Sequence, residues 1–163
     1  MISAQLKQPE LIDDASLSAQ VRECVQFDDN YSPLVESLRH NVGAEFEFQL
    51  QSRLRHLHIP FLTEAEMAAR GYPKTPDIKF EVPILVEGRF VVNWIESKAT
   101  FADPETLAAS LRDQFTAYSN RYGPGLVIYW FGHVKPDAEV ENGVLIRDDL
   151  PTGDQIIMLD GLI

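Results

Sequence analysis

The sequence predicts an α/β sandwich, in which a central mixed β-sheet is flanked by helices. A long helical stretch comes first, two strand-like segments joined by a tight turn follow it, and a second helix leads into the continuous apolar run Leu126–Phe131. A strand that is apolar at both alternating positions is covered on both faces, which places this run at the centre of a sheet. The order helix, hairpin, helix, buried strand is therefore that of a sheet with helices packed on it.

Helix-capping residues, turn residues and alternating apolar residues predict the remaining elements, because each kind of element has a characteristic residue pattern. In chain order they are a helix from Ser32-Pro33 towards His58 with a candidate break at Asn41–Gly43, a short helix opened by the capping box Thr63–Glu66 and ended by Gly71, a strand over Ile78–Ile84, a turn at Glu87–Arg89, a strand over Phe90–Ala99, a helix from Asp103-Pro104 to before Gly123, the central strand, and two short closing strands at Val144–Ile146 and Gln155–Leu159.

The composition is that of one globular domain. Of the 163 residues, 45% are hydrophobic and 24% are charged, which is ordinary for a soluble domain with a sizeable core. Residues 1–31 are acidic and are predicted to form a helix and a linker, with the main domain spanning 32–163. No apolar run approaches the roughly 20 residues of a membrane span, and the chain does not open on a signal-peptide pattern. With Cys24 as the single cysteine, we expect a cytoplasmic protein (nuclear if the source is eukaryotic) with no membrane association.

Two carboxylates and a lysine are predicted to meet at the end of the sheet. Asp77 precedes the first strand of the hairpin, and Glu96 and Lys98 end the second strand. Side chains alternate along a strand, so Glu96 and Lys98 leave the same face. Carboxylate oxygens suit Mg²⁺ or Mn²⁺, and a lysine beside such an ion can orient a water. The alternative is a solvated strand edge beside a Pro-Asp turn.

Three ordered strings resemble a known family. They are Gly71–Asp77 with its Thr75-Pro76-Asp77, Trp94–Ala99 with its Glu96-Ser97-Lys98, and Tyr122–Trp130. Together they are similar to the TPD-motif branch of the PD-(D/E)XK, or restriction-endonuclease-like, nucleases, which has animal and archaeal members. The resemblance implies the fold of those nucleases and a metal-dependent hydrolysis of phosphodiester bonds, with DNA, including branched or structured DNA, favoured over RNA.

The resemblance also implies roles for site residues. Asp77 and Glu96 would hold one or two Mg²⁺ or Mn²⁺ ions with help from the backbone carbonyl of Ser97, and Lys98 would position the attacking water. Glu47 lies at the margin of the apolar helix face, and its spacing from Gly43 resembles a Gly…Glu helix motif of archaeal junction-resolving nucleases, in which the acid serves the metal site. Glu45 lies nearly opposite on that helix and is expected to be exposed to solvent.

The second helix offers a Gln and a Tyr. Gln114-x-x-x-Tyr118 resembles a motif that follows Glu-x-Lys in several nuclease branches, where the pair braces the site or contacts substrate. Gln114 interrupts an apolar stripe and needs hydrogen-bond partners, which favours a place in the site, whereas the pattern around Tyr118 favours a core aromatic. No histidine is assigned a role, because His56 and His58 diverge on a helix and lack a third ligand nearby.

The net charge of the chain argues against a nucleic-acid partner. The formal net charge is −11, whereas nucleic-acid binding depends on neutralising phosphates. We expect a local rim of basic residues, including Arg53, Lys74 and Arg112, on an acidic body. The rival hypothesis is a non-catalytic module that keeps the nuclease fold to bind a partner protein. The resemblance supports it too, because an animal member of the branch interacts with a partner protein. Assembly as a homodimer stays an open alternative.

Overall fold

The computed structural model describes residues 2–28, 30, 32–134 and 140–159. These residues fall into two compact units, one up to residue 44 and one from residue 45 onward, and each is described by itself. Residues 29 and 31 of the predicted linker lie outside the described part of the chain, and the predicted boundary at residue 32 stays a prediction.

The first unit is helical. It contains α1 (Ile2–Lys7), α2 (Ala15–Phe27) and the beginning of α3 (Pro33–His56). The carboxylate of Asp14 accepts hydrogen bonds from the first amides of α2, and the hydroxyl of Ser32 accepts one from the amide of Val35, so Ser32 caps α3 as predicted.

The second unit is built on one mixed sheet. Its elements are, in chain order, β1 (Phe61–Thr63), α4 (Glu64–Ala69), β2 (Ile78–Val86), β3 (Phe90–Lys98), α5 (Pro104–Ser110), a π-helical segment (Leu111–Phe115), α6 (Thr116–Tyr122), β4 (Gly125–Tyr129), β5 (Val140–Glu141), β6 (Val144–Arg147), a 3₁₀ turn (Gly153–Gln155) and β7 (Ile156–Met158). The strands run in the order β1-β2-β3-β4-β6-β5, with β7 paired to β2. The β2–β3 hairpin is antiparallel, whereas β4 pairs in parallel with both β3 and β6.

Helices cover both faces of the sheet and make two core layers. On one face Leu50 and Leu54 of α3 pack against strand residues that include Ile95 and Ile128. On the other face Phe115 and its helical neighbours pack against Trp94, Val127 and Tyr129. The predicted α/β sandwich with a central mixed sheet is confirmed. Within the described residues, no helix is both long and apolar enough to cross a bilayer.

The structure corrects the predicted elements at three places. Helix α3 continues through Asn41–Gly43, because a single helical glycine costs only about 1 kcal/mol. The helix after Asp103 contains a π segment rather than running as one α-helix. Strand β4 ends at Tyr129, so Trp130 and Phe131 lie in the turn that follows the strand and not in the sheet.

Candidate active site

The hairpin register brings Asp77 to the end of β3. Ile78, the first residue of β2, lies opposite Ile95, and this places Asp77 beside the Glu96–Lys98 segment. An oxygen of Asp77, Oδ2, accepts a hydrogen bond of 2.7 Å from the backbone amide of Ser97. The two halves of the predicted site therefore meet at one end of the central sheet.

Glu96 and Lys98 share a face of β3, as alternation predicts. The Nζ atom of Lys98 lies 2.7 Å from Oε1 of Glu96. The side chain of Glu96 is 6% exposed, while that of Lys98 keeps 28% of its surface. The carboxylate is thus held inside the molecule, and the lysine that pairs with it is partly open to solvent.

Gln114 and Tyr118 link the helix to both halves of the site. The Nε2 atom of Gln114 donates to Oε1 of Glu96 at 2.8 Å and to the hydroxyl of Tyr118 at 2.9 Å. That hydroxyl donates in turn to the carbonyl of Thr75, also at 2.9 Å. The three residues Thr75, Gln114 and Tyr118 help to line a cavity of about 430 Å³ that Lys74 also borders. The ring of Tyr118 also packs edge-on against Trp94, as the explanation of a core aromatic expects, while its contact with a substrate stays a prediction.

A π segment places Gln114 at the site. Leu111–Phe115 forms the wider π-helical turn between α5 and α6, and the hydroxyl of Thr116 donates to the carbonyl of Leu111. The stripe Leu107, Leu111 and Tyr118 stays buried against the sheet while Gln114 reaches Glu96. π-helical turns are rare and are frequent at functional sites. The amino-acid sequence carries no signature for one.

Burial of two neighbouring carboxyl groups raises both of their pKa values. Burial, and then the charge of Glu96, raises the pKa of Asp77 to about 8. Burial likewise raises the pKa of Glu96, against the lowering effect of Lys98 and Gln114. Within the described part of the chain, the Oε2 atom of Glu96 is buried without a hydrogen-bond partner. A buried carboxylate oxygen left in this way costs free energy unless a cation or a donor reaches it.

Glu47 lies near the carboxylate pair, and Glu45 does not. Glu47 is half-buried, and its charge contributes to the raised pKa of Asp77, after burial and Glu96. Glu45 is exposed and accepts a hydrogen bond from Gln49. Among the described residues, no three His, Cys, Asp or Glu side chains are grouped so that they could hold a metal ion. The metal site would thus depend on Asp77 and Glu96, and the roles predicted for Glu47 and for the Ser97 carbonyl stay predictions.

The fold and site define an α/β protein with two neighbouring carboxyl groups, the buried Glu96 and the half-buried Asp77, and a lysine at the end of its central sheet. The chain belongs to the family described as a protein of unknown function with a TPD sequence motif, whose model matches residues 13–150. The predicted membership in the TPD-motif branch is therefore confirmed.

Individual relatives extend the comparison. The chain is similar to "CDAN1-interacting nuclease 1" of Danio rerio (44% identical over 153 residues, 93% of this chain and 51% of the relative). It is also similar to the protein of that name of Homo sapiens (43% over 153 residues, 93% and 54%). An uncharacterized protein of Acanthamoeba polyphaga mimivirus is 31% identical over 97 residues, 56% of this chain and 35% of that protein. The chain spans about half the length of the animal relatives. No solved structure matches it.

Proposed function

We propose that this chain is a divalent-metal-dependent nuclease that hydrolyses phosphodiester bonds, of DNA in preference to RNA. The observation that carries the proposal is the pair of neighbouring carboxyl groups, the half-buried Asp77 and the buried Glu96, with the ammonium of Lys98 on Glu96. The names of the animal relatives, which include the word nuclease, support it.

The ligand chemistry of Asp77 and Glu96 supports a bound Mg²⁺ or Mn²⁺ ion. Asp77 and Glu96 offer hard carboxylate oxygens, which both ions prefer, and the unpartnered Oε2 atom of Glu96 is available to one. Ser97, through its carbonyl, and Glu47 would complete the set. Such an ion would polarise the scissile phosphate and lower the pKa of a bound water.

The protein groups around the pair would hold and orient the reactants. The ammonium of Lys98 would donate a hydrogen bond to the attacking water or to a phosphate oxygen as negative charge builds up there. Gln114 fixes the rotamer of Glu96, and Tyr118 ties the loop at Thr75 to the same helix. These contacts leave the carboxylates little freedom, which is what a preorganised site requires.

Cleavage of a panel of labelled substrates tests the proposal. Single-stranded, duplex, flap and four-way DNA, with matched RNA strands, would be incubated with the protein in Mg²⁺, Mn²⁺ or EDTA. We expect cleavage only with metal, and its loss in Asp77→Asn and in Glu96→Gln. Glu45→Gln removes an acid of the same kind outside the site and should behave as wild type. Metal-independent cleavage, or full activity in Asp77→Asn, would refute the mechanism.

A protein partner is a second proposal, and the name "CDAN1-interacting" of the relatives favours it. The net charge of −11 is also easier to reconcile with a protein partner than with nucleic acid. Calorimetric titration with purified CDAN1 protein would test it. Binding that is unchanged in Asp77→Asn would show that the interaction does not use the carboxylate pair.

A further inference from the structure

An aromatic patch lies on the α3 face of the sheet, at the end that carries the Glu-Ser-Lys segment and opposite the face that Glu96 and Lys98 share. We define it as Phe46 of α3 together with Trp130 and Phe131 of the turn after β4. The rings of Phe46 and Trp130 stack with centroids 5.0 Å apart, and Phe131 meets Phe46 edge-on at 5.6 Å. Phe131 nevertheless stays 54% exposed. Its ring is thus supported from behind and open to solvent.

Two hydrogen bonds fix the patch to the strand that carries the site. The indole nitrogen of Trp130 donates to the hydroxyl of Ser97 at 2.8 Å, and the backbone amide of Trp130 donates to the carbonyl of Lys98 at 3.0 Å. Ser97 and Lys98 belong to the Glu-Ser-Lys segment itself. A group bound on the patch would therefore be held at a defined position relative to Lys98.

The turn that exposes Phe131 is also defined. The amide of Gly132 donates to the carbonyl of Tyr129 at 2.8 Å, and Gly132 has a φ of +88°, in the region that glycine adopts without strain. Strand β4 therefore ends in a tight turn that points Phe131 outward instead of continuing as a buried strand.

Electrostatic attraction contributes little to the binding of a nucleic acid at this surface. Arg53 pairs with Asp149 and Arg112 pairs with Asp113, so part of the basic rim expected from the sequence is neutralised by acidic neighbours. The net charge of −11 repels phosphates at long range. Stacking of a base on an aromatic ring provides affinity that does not depend on the charge of the protein.

We infer, on the basis of the proposed function, that Phe131 stacks on an unpaired base of the strand that the site cleaves, where that strand passes the α3 face at the end of the sheet. The substrate is then a single strand, or the unpaired segment of a branched molecule, rather than a continuous duplex. In a duplex, the neighbouring base pairs already cover both faces of every base, and only a flipped base could reach the ring.

Binding and cleavage by matched variants of the full chain test this inference. Binding would be measured by fluorescence anisotropy in Ca²⁺ with three probes: a single strand, the same strand with abasic sites, and a duplex. Phe131→Leu keeps the apolar volume but loses the flat ring, and Phe131→Trp keeps a ring. Phe48→Ala is the control, because Phe48 is 62% exposed and points away from Phe46 on α3.

The expected result is a loss of single-strand affinity that depends on the bases. Phe131→Leu should bind the single strand about 5- to 100-fold more weakly, with no change for the abasic strand or the duplex. Phe131→Trp and Phe48→Ala should bind as wild type does. Equal affinity of wild type and Phe131→Leu for the single strand, or a preference of the wild type for duplex, overturns the inference. The inference is also overturned if Phe131→Leu weakens binding of a protein partner and leaves the single-strand affinity unchanged.

Cleavage in Mn²⁺ separates this inference from the proposed function. If the wild type binds the single strand through Phe131 but cleaves nothing, the stacking surface is supported and hydrolysis is not. If the wild type cleaves and Phe131→Leu cleaves every substrate equally well, hydrolysis is supported and stacking is overturned. Circular dichroism of each variant checks that the fold is kept.

Discussion

At the scale of single residues, Asp77 connects the chemistry of the site to the stability of the protein. Its pKa is raised from 3.8 to about 8, by burial first and then by Glu96. Between these values the folded protein binds a proton that the unfolded chain releases. The metal-free protein should therefore lose stability as the pH rises from about 4 to 8, by up to about 1.4 kcal/mol per pH unit for this group.

Denaturant unfolding in EDTA across this pH range would measure the effect. Asp77→Asn cannot titrate at this position, so its stability should vary less with pH than that of the wild type. Glu45→Gln, which changes an exposed acid, should keep the wild-type slope. Stability of the wild type that rises with pH through this window would contradict the raised pKa.

Lys98 separates catalysis from binding. An ammonium group does not ligate a cation and repels a nearby one, so Lys98→Met should keep or slightly tighten the affinity for Mn²⁺. Cleavage should fall by about 10²–10⁴-fold, the usual contribution of a positioned acid–base group. Single-turnover cleavage and calorimetry would measure the two quantities. Lys7→Met removes a lysine that the proposed site does not use and should change neither. Equal cleavage by wild type and Lys98→Met would exclude the role proposed for this lysine.

Glu96 and Lys98 are predictable from the sequence because each is a charged residue in an otherwise apolar segment. Glu96 and Lys98 end a strand that is otherwise apolar, where charged groups need partners, and the structure pairs them. The hydrogen bond from the Ser97 amide to Asp77 could not be foreseen, because it depends on the register of the hairpin. The outward turn of Phe131 was also missed, since an aromatic residue after an apolar run has the pattern of a longer strand.

At the scale of elements, the π segment determines where Gln114 points. Deleting the exposed residue Asp113 should convert the segment to regular α-helix and rotate Gln114 away from Glu96. We expect the helical circular dichroism to be retained and cleavage to fall about 10- to 100-fold, the usual cost of losing a group that orients a metal ligand. Gln114→Ala should lower cleavage to a similar extent. A deletion variant that cleaves like wild type while Gln114→Ala does not would show that the π segment is not needed.

Helix α3 carries two glutamates that can be compared directly, one close to the proposed metal site and one away from it. Glu47 is half-buried near Asp77, whereas Glu45 is exposed and hydrogen-bonded to Gln49. Calorimetry should show that Glu47→Gln weakens Mn²⁺ binding by about 10- to 100-fold, and that Glu45→Gln leaves it unchanged. Equal, wild-type affinities in both variants would remove Glu47 from the metal site.

Elements were predictable in proportion to their length and periodicity. Helix α3, the hairpin strands and the first four residues of the Leu126–Phe131 run have clear periods and were predicted. Strands β1 (Phe61–Thr63) and β5 (Val140–Glu141) were not predicted. The equally short β7 (Ile156–Met158) lies within the predicted strand at Gln155–Leu159, because residues 156–159 form a continuous apolar run. The π segment was missed because its apolar stripe at Leu107, Leu111 and Tyr118 is the one an α-helix would also show.

At the scale of the whole molecule, the acidic net charge constrains how a nucleic acid could bind. A protein that follows a strand with a basic groove gains most of its affinity from released counterions, and that affinity falls steeply with salt. Here the charge is −11, and the binding surface inferred above is an exposed aromatic ring. Single-strand binding should accordingly depend more on the bases than on salt.

Anisotropy titrations of a single strand with the full chain, at several salt concentrations and constant Ca²⁺, would test this. Each neutralised phosphate contributes a slope of about −0.7 for single strands. Contact with three phosphates or fewer should therefore give a plot of log affinity against log salt no steeper than about −2. Phe131→Leu should shift the whole line to weaker binding without changing its slope, because the substitution removes stacking and no charge. Lys98→Met should make the slope shallower by about 0.7, the contribution of one phosphate contact. A slope several units steeper would mean that a basic track elsewhere on the surface carries the strand, and the aromatic patch would then not be the main binding surface.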